Sequence, residues 1–177
     1  IMLDLCRRIM NQPNEMSTWN TLDGVADQQS IDEAASRSIG FVAGALINLW
    51  VQRGLNDKAC LPVDIEPFFT QLCDTQVDRF RHSRVLLSSQ LTNLYRVDPQ
   101  WTAQYLLPLF DWSRNAVEAR SVWQGFLESA RLHPPLLLIL KPHLLATAHH
   151  YAELHERGEM FASFLTKVAL DRVDGFI

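Results

Sequence analysis

Residues Asp98–Pro142 read DPQWTAQYLLPLFDWSRNAVEARSVWQGFLESARLHPPLLLILKP and determine the architecture of this chain. They hold three of the five tryptophans and five of the eight prolines in a sequence of 177 residues. Between the prolines, apolar residues recur at helical spacing, which predicts helices joined by short turns and anchored by aromatic side chains. We therefore expect an all-α protein whose other helices pack on this segment or extend it.

The first helix of this segment has a clear start and a clear limit. The Asp98 side chain can accept from the backbone amides of the first turn, and Pro99 needs no amide partner at the first helical position. Pro108 removes one backbone hydrogen bond, so we expect the helix to kink or stop within a turn of it. The predicted inward stripe comprises Trp101, Tyr105, Leu106, Leu109 and Phe110.

Two further helices follow in the same segment. Ser113 or Asn115 is the predicted cap of the second helix, and the third is expected to start after His133 and to be interrupted at Pro142. The predicted inward face of the second helix is Ala116, Ala119, Trp123, Phe126 and Leu127. Beyond the interruption, the predicted inward stripe of the third is Leu144, Leu145, Ala148, Tyr151 and Ala152.

The N-terminal part of the sequence predicts a partial helix followed by a polar loop. Residues 1–11 fit a short amphipathic helix with Leu3, Leu5, Ile9 and Met10 inward. Because the sequence opens at Ile1 in mid-helix, we expect it to be a piece of a longer protein. Residues 11–29 are polar and predict a long loop, which Trp19 and Leu22 would pin to the body.

A long helix follows the loop. Ser30 and Glu33 form a Ser-x-x-Glu capping box at its start, and Gly54 is the predicted residue that closes it. Gly40 and Gly44 are four residues apart and predict a place where a neighbouring helix comes close. The predicted inward stripe is Ala34 or Ala35, Ser38, Val42, Ala45, Leu49 and Arg53.

Helices are also predicted at residues 65–74, 75–95 and 159–170. Predicted helix pairs start near residues 31, 75, 114 and 159, at intervals of 44, 39 and 45 residues. HEAT and armadillo repeats are about 40 to 47 residues long. We therefore predict that residues 30–177 form antiparallel helix pairs in a HEAT- or armadillo-like α-solenoid segment, with an irregular helical bundle as the alternative. Residues 1–29, the partial helix and polar loop, precede this domain.

Composition restricts the classes of function. The chain is 47% hydrophobic and 20% charged, as in an ordinary globular protein, and its net charge of −4 argues against nucleic acid as a partner. The longest apolar run, Ile39–Val51, is shorter than the ~20 residues that cross a bilayer, so we predict no membrane span. Cys6, Cys60 and Cys73 contain no CxxC pair, and we expect them to be buried, reduced thiols of a cytoplasmic protein.

Cationic residues cluster in the first half of the helix predicted at 75–95. The cluster comprises Arg79, Arg81, His82 and Arg84. If the cluster were exposed and unpaired, it would concentrate positive potential and contact an anion or nucleic acid. We favour the alternative of a solvated face on which these cations pair with Asp74 and Asp78.

A second cluster resembles a metal site. It comprises His149, His150, Glu153 and His155. Two ligands on one helix must be three or four residues apart to share a face, as His149 and His150 each are with Glu153. No further group of ligands stands at matching spacing in the sequence, and glycine-rich phosphate loops and GxSxG elbows are lacking. We therefore predict no catalytic, cofactor-binding or metal-binding residue in this segment.

The sequence from residue 82 to about residue 171 resembles a known family. It contains the phrases DPQWT (98–102), LLPLFDW (106–112) and VWQGFL (122–127). With the following LLATAHHYAELHERGEMFASFLTKVALD (144–171), these phrases are similar to an uncharacterised helical region at the C-terminal end of large bacterial proteins that carry a sirtuin-like N-terminal domain.

The resemblance implies a place in an anti-phage defence protein. In defence-associated sirtuins, the N-terminal domain degrades NAD when a phage is sensed, and abortive infection follows. The NAD-binding glycines and the catalytic histidine of that domain have no counterpart in this sequence, so no catalytic residue is carried over. The segment would be the non-catalytic sensor or scaffold, whose partners are the sirtuin-like part of its own chain and a phage component or a second copy of itself. The alternative is a stand-alone helical-repeat adaptor that binds protein or nucleic acid.

Overall fold

A computed structural model describes residues 1–12, 34–35 and 37–170. Within these residues the chain is helical and contains no β-strand, which confirms the all-α class. The α-helices are α1 (Met2–Met10), α2 (Ser38–Gln52), α3 (Glu66–Leu72), α4 (Arg81–Ser89), α5 (Leu91–Val97), α6 (Pro99–Trp101), α7 (Ala116–Glu128), α8 (Pro134–His149) and α9 (Gly158–Leu170). The 3-10 helices are Asp78–Phe80, Leu107–Phe110 and Tyr151–Arg157, and a π-helix covers Thr102–Leu106.

Two of the predicted features fall where the structure describes no residues. One is the middle of the polar loop with Trp19 and Leu22, and the other is the capping box of Ser30 and Glu33. The helix before the loop is confirmed as α1, where Cys6 and Met10 are buried. Leu5, which was predicted to face inward, is 57% exposed.

The start of the first helix in the central segment is confirmed, whereas the α-helix ends at Trp101, earlier than the limit predicted near Pro108. The Asp98 Oδ1 accepts from the Trp101 amide at 2.9 Å, and Pro99 occupies the first turn. The regular helix then gives way to a π-helix and a 3-10 turn around Pro108. Proline has no amide hydrogen and crowds the carbonyl four residues back, which accounts for this irregularity.

The cap of the next helix is Asn115. Its side-chain oxygen accepts from the amides of Val117 and Glu118, both at 3.1 Å, so that the first turn of α7 is satisfied locally. The predicted inward face is correct for Ala119, Trp123, Phe126 and Leu127. The prediction is wrong for Ala116, which is exposed.

The predicted stripe of the long helix α2 is largely wrong. Its buried residues are Ile39, Gly40, Val42, Ala43, Leu46, Ile47 and Trp50. The sequence SIGFVAGALINLWVQ is apolar around most of its circumference, so its periodicity cannot select one face. The prediction that Gly54 closes the helix is confirmed. Gly54 has φ +95, a conformation that glycine adopts without strain because it has no side chain.

The glycine pair of α2 was expected to let a neighbouring helix come close. At Gly40 the close neighbour is instead the backbone that precedes α2, since an added Cβ would lie 1.8 Å from the carbonyl oxygen of Ala34. At Gly44 an added Cβ would meet nothing within 4 Å. A close contact therefore exists at Gly40 and not at Gly44, and its partner is the backbone of Ala34 instead of the predicted neighbouring helix.

The single helix predicted at residues 75–95 is divided. A 3-10 turn leads into α4, and Gln90, with φ −98 and ψ 10, separates α4 from α5. The hydroxyls of Ser88 and Ser89 donate to the carbonyls of Val85 and Leu86 at 2.7 Å, which competes with helical bonding before the break. Phe80, Leu87, Leu91 and Leu94 are nevertheless all buried.

The helix predicted to be interrupted at Pro142 continues through it to His149, so the interruption is wrong. The predicted inward stripe beyond Pro142 is correct only for Leu144. The residues that α8 buries are Leu136, Leu137, Leu140, Leu144 and Thr147. By contrast, the helix predicted at residues 159–170 is confirmed as α9, which begins at Gly158 and buries Phe161, Phe164 and Val168.

The helices α1, α2, α4, α7 and α9 form a series in which each contacts the next. α1 contacts α2, α2 contacts α4, and α4 contacts α7. α7 contacts α9 and also the 3-10 helix Tyr151–Arg157 that precedes α9. Aromatic side chains of the central segment contact one another and helices before and after the segment. Trp101 contacts Phe69 with ring centroids 6.1 Å apart, and Trp123 contacts Phe110 at 5.0 Å and Phe161 at 5.8 Å. The prediction of a core anchored on this segment is confirmed by these contacts.

The cysteines are free thiols with two different environments. Cys6 and Cys73 are buried as expected, and burial raises the pKa of both thiols, that of Cys73 to about 12. Cys60 is exposed, so the prediction of burial is wrong for this residue. It lies in the connection between α2 and α3, where its amide donates to the Val97 carbonyl at 3.1 Å.

Candidate functional site

The cationic cluster is built into an interface between helices. Arg84 of α4 is fully buried and donates through Nε and Nη2 to both carboxylate oxygens of Glu118 in α7, at 2.7 and 2.8 Å. Arg81 donates to the same carboxylate at 2.6 Å. Arg84 also donates to the backbone carbonyl of Asp74 at 2.8 Å. The favoured prediction of a solvated face is therefore wrong for Arg84.

Glu118 is ionised despite its burial. Burial alone would raise the pKa of this carboxyl, but hydrogen bonds and charge from Arg84, and then from Arg81, outweigh burial and hold the pKa below its usual range. Arg81 and Arg84 thus share this carboxylate, and Arg81 also lies 3.7 Å from the exposed carboxylate of Asp78. The fork-shaped contact with Arg84 fixes how α7 sits on α4.

The third arginine of the cluster holds α1. Arg79 donates to the backbone carbonyls of Ile9, at 3.4 Å, and of Met10, so that it satisfies acceptors at the C-terminal end of α1. Its guanidinium also lies 5.2 Å from the centre of the Phe80 ring. The three arginines that could have contacted nucleic acid are therefore all engaged within the chain.

The histidine cluster forms a corner between α8 and the 3-10 helix that follows. The His150 Nδ1 lies 2.7 Å from one oxygen of Glu153, and Arg120 of α7 donates to the other oxygen at 2.9 Å. The His150 ring stacks on Trp112 with centroids 4.4 Å apart and planes 6° from parallel. Together these contacts tie the corner to α7 and to the turn before it.

The corner after α8 is therefore a turn that side-chain contacts hold against α7 and Trp112. The predicted face shared by His150 and Glu153 is confirmed, whereas His149 is exposed and His155 adopts φ 49 beyond the corner. In the part of the chain that the structure describes, no group of three His, Cys, Asp or Glu side chains is arranged to hold a metal ion. The pKa of Glu153 is lowered by its hydrogen bond to His150 and then by Arg120, as for a carboxylate in a structural network.

The most distinctive surface is the outer face of α8. We call it the α8 stripe, and its residues are Pro135, Leu138, Ile139, Pro142 and Leu145. They recur at intervals of one, three and four positions, so they lie on one side of the helix. All are exposed, with Leu138 and Ile139 at 45% and Leu145 at 57%. Such a row of large apolar side chains on one helix is typical of an interaction surface.

The inward face of α8 makes the α8 stripe a fixed surface. Leu136, Leu140 and Leu144 are fully buried against the core. The hydroxyl of Thr147 accepts from the indole nitrogen of Trp112 at 2.8 Å, which orients the C-terminal end of the helix. Sequence reasoning assigned Leu145 to the core because α8 is apolar on both faces, and the alternation of exposed and buried leucines cannot be read from such a pattern.

Within the described ranges, none of the helices has both the length and the apolar character that crossing a bilayer requires. A scan against protein-family models, a search of curated proteins and a search of solved structures each return no match.

Proposed function

We propose that this chain is a non-catalytic helical scaffold or sensor domain at the C-terminal end of a sirtuin-like, NAD-depleting bacterial anti-phage defence protein. The single observation that carries the scaffold role is the α8 stripe, a row of apolar side chains that the fold leaves exposed. The defence setting rests on the resemblance of residues 82–171. In that setting the protein is cytoplasmic, and the NAD-hydrolysing activity belongs to the sirtuin-like part.

The polar clusters support a role in binding rather than in chemistry. The hydrogen bond between Arg84 and Glu118 joins α4 to α7. The hydrogen bond between Arg120 and Glu153 holds the corner after α8. By contrast, when another surface covers exposed apolar side chains, they are removed from water and the free energy falls. Burial of the apolar area of the α8 stripe therefore favours the binding of a partner.

The same proposal includes the architecture of a HEAT- or armadillo-like solenoid segment made of antiparallel helix pairs. The contacts along the series α1, α2, α4, α7 and α9 support it, since each repeat of a solenoid contacts its neighbours. The helices that open the pairs begin at residues 38, 81, 116 and 158. The middle interval, from 81 to 116, is shorter than the about 40 to 47 residues of such repeats, so the irregular bundle stays the competing description.

The alternative function is that of a stand-alone helical adaptor. It uses the same α8 stripe but has no sirtuin-like partner in its own chain. Nucleic acid as the ligand of such an adaptor has little support, because Arg79, Arg81 and Arg84 make their contacts inside the protein.

The experiment that tests the proposal uses the native gene product in its source cells. Intact mass and N-terminal sequencing give the extent of the chain, and NAD is measured before and after challenge with a panel of phages. We expect an upstream sirtuin-like domain and a fall in NAD on challenge. A native chain that begins close to Ile1, with NAD unchanged, would favour the stand-alone adaptor.

A further inference from the structure

The helix α8 has a histidine at each end. His133 is its N-cap residue and His150 is its C-cap residue. The positive end of a helix dipole disfavours a cation and the negative end favours one, so a proton has opposite effects at these two residues. We infer that α8 is a pH-sensitive arm, whose first turn separates from the body of the protein on acidification while its last turn stays anchored. This inference is independent of the defence setting in the proposed function.

The surroundings of His133 disfavour a proton on its ring. The ring packs against the buried Tyr95 with the ring centroids 5.9 Å apart, and the His133 side chain makes no capping hydrogen bond. Burial, followed by the charge of Arg96, lowers the pKa of His133, whereas Asp57 acts in the opposite direction. Asp57 is itself paired with Arg96 at 2.6 Å, so its charge is partly offset. Protonation of His133 therefore weakens the packing of the first turn of α8.

His143 adds to this effect in the middle of α8. Burial is the largest influence and lowers the pKa of His143, with the charges of Asp111 and Arg114 acting in opposite directions. Both His133 and His143 therefore bind a proton more readily when α8 is away from the body. The packing of this part of α8 is then most stable above about pH 6.5, the ordinary pKa of histidine, and weakens as the pH falls below it.

The C-terminal end of α8 keeps its contacts when a proton is added. The His150 Nδ1 lies 2.7 Å from one oxygen of Glu153, and the His150 ring is stacked on Trp112. A protonated His150 makes a charge-assisted hydrogen bond to that carboxylate and places its charge over the indole ring. Arg120 stays bound to the other oxygen of Glu153 at 2.9 Å. The hydrogen bond between Trp112 and Thr147 involves no group that titrates in this range.

Loosening of the first turn changes the surface of the protein. Leu136 and Leu137 are fully buried in this turn and become accessible when it separates from the body. Leu138 and Ile139 of the α8 stripe follow directly and move with it. Acidification thereby alters the exposed apolar face of α8 without unfolding the whole chain.

Hydrogen exchange of single backbone amides in the full chain tests the inference. The Leu137 amide donates to the His133 carbonyl and reports on the first turn, while the His150 amide donates to the Thr147 carbonyl and reports on the last, both at 3.0 Å. Exchange is corrected for the intrinsic effect of pH, and global unfolding affects both amides alike. We expect the protection of Leu137 relative to His150 to fall roughly twofold to fivefold from about pH 7.5 to about pH 5.5, as for a charge at a helix terminus. A ratio that is the same at both pH values overturns the inference.

Two matched substitutions identify the residue responsible. His133→Asn introduces a side chain that stays neutral and caps helices well, so the chain should fold and most of the pH response should be lost. His155→Asn is the control at an exposed histidine beyond the corner, where asparagine tolerates the φ of 49. This variant should keep the full response. An undiminished response in His133→Asn would overturn the inference, since other groups would then cause it.

Discussion

Arg84 and Glu118 are 34 residues apart in sequence and form a two-pronged ion pair, with the Arg84 side chain fully buried and the Glu118 side chain 2% exposed. A buried pair of this kind fixes the relative position of two helices, because either charge without the other is strongly disfavoured in the interior. It therefore sets how the N-terminal helices sit on the central segment.

The first prediction concerns Glu118→Gln. This substitution leaves the buried Arg84 without its counter-charge, and we expect the free energy of unfolding to fall by about 3–5 kcal/mol. Urea denaturation followed by circular dichroism measures the change. Glu159→Gln, at an exposed position of α9, is the matched control and should change stability by less than about 0.5 kcal/mol. Equal stability of the two variants would contradict the role of the pair.

Some of these structural features could be predicted from the sequence, and others could not. The cap at Asp98 and the glycine closure at Gly54 follow from local chemistry, and both are confirmed. The partner of Arg84 does not, since Glu118 comes from another helix and the pairing depends on tertiary packing. The outer face of α8 was missed for a similar reason: a helix that is apolar all round gives no signal of which side the core will cover.

The second prediction concerns His82 and pH. Burial, followed by the charges of Arg37, Arg81 and Arg84, lowers the pKa of His82 to about 4. The unfolded chain binds a proton at this residue near pH 6.5, so the unfolded state gains protons first as the pH falls. Stability from this group is full above about pH 6.5 and is lost between there and about pH 4.

Urea midpoints at pH 7, 6 and 5 test the role of His82. The midpoint of the wild type should fall over this range, and His82→Asn should show a shallower fall. His133 and His143 also have lowered pKa values through burial, so some dependence remains in the variant. An identical slope in both proteins would show that His82 does not contribute.

The third prediction compares two leucines of α8. Leu140 is fully buried and Leu138 is 45% exposed. Leu140→Ala should therefore lower the free energy of unfolding by about 2–5 kcal/mol, as for other buried leucines. Leu138→Ala should change it by about 0.5 kcal/mol or less, because no core contact is lost. The reverse order would mean that α8 packs with its other face inward.

The fourth prediction uses the two glycines of α2. An alanine at Gly40 would place its Cβ against the Ala34 carbonyl, so Gly40→Ala should destabilise the protein. At Gly44 the space is open and the residue is helical, and Gly44→Ala should stabilise by about 0.5–1 kcal/mol. Thermal unfolding of the two variants gives the sign directly. A gain in stability for Gly40→Ala would disprove the close approach.

The most direct test of the central claim follows NAD in cells that express the full-length native protein during phage challenge. Three forms are compared at equal abundance: the wild type, a double variant with Leu138→Gln and Leu145→Gln, and Leu170→Gln as the matched control. We predict that NAD falls in cells with the wild type and with the control and stays constant with the double variant, because the sensor can no longer engage its partner. An equal fall of NAD with all three forms would contradict a sensing role for the α8 stripe.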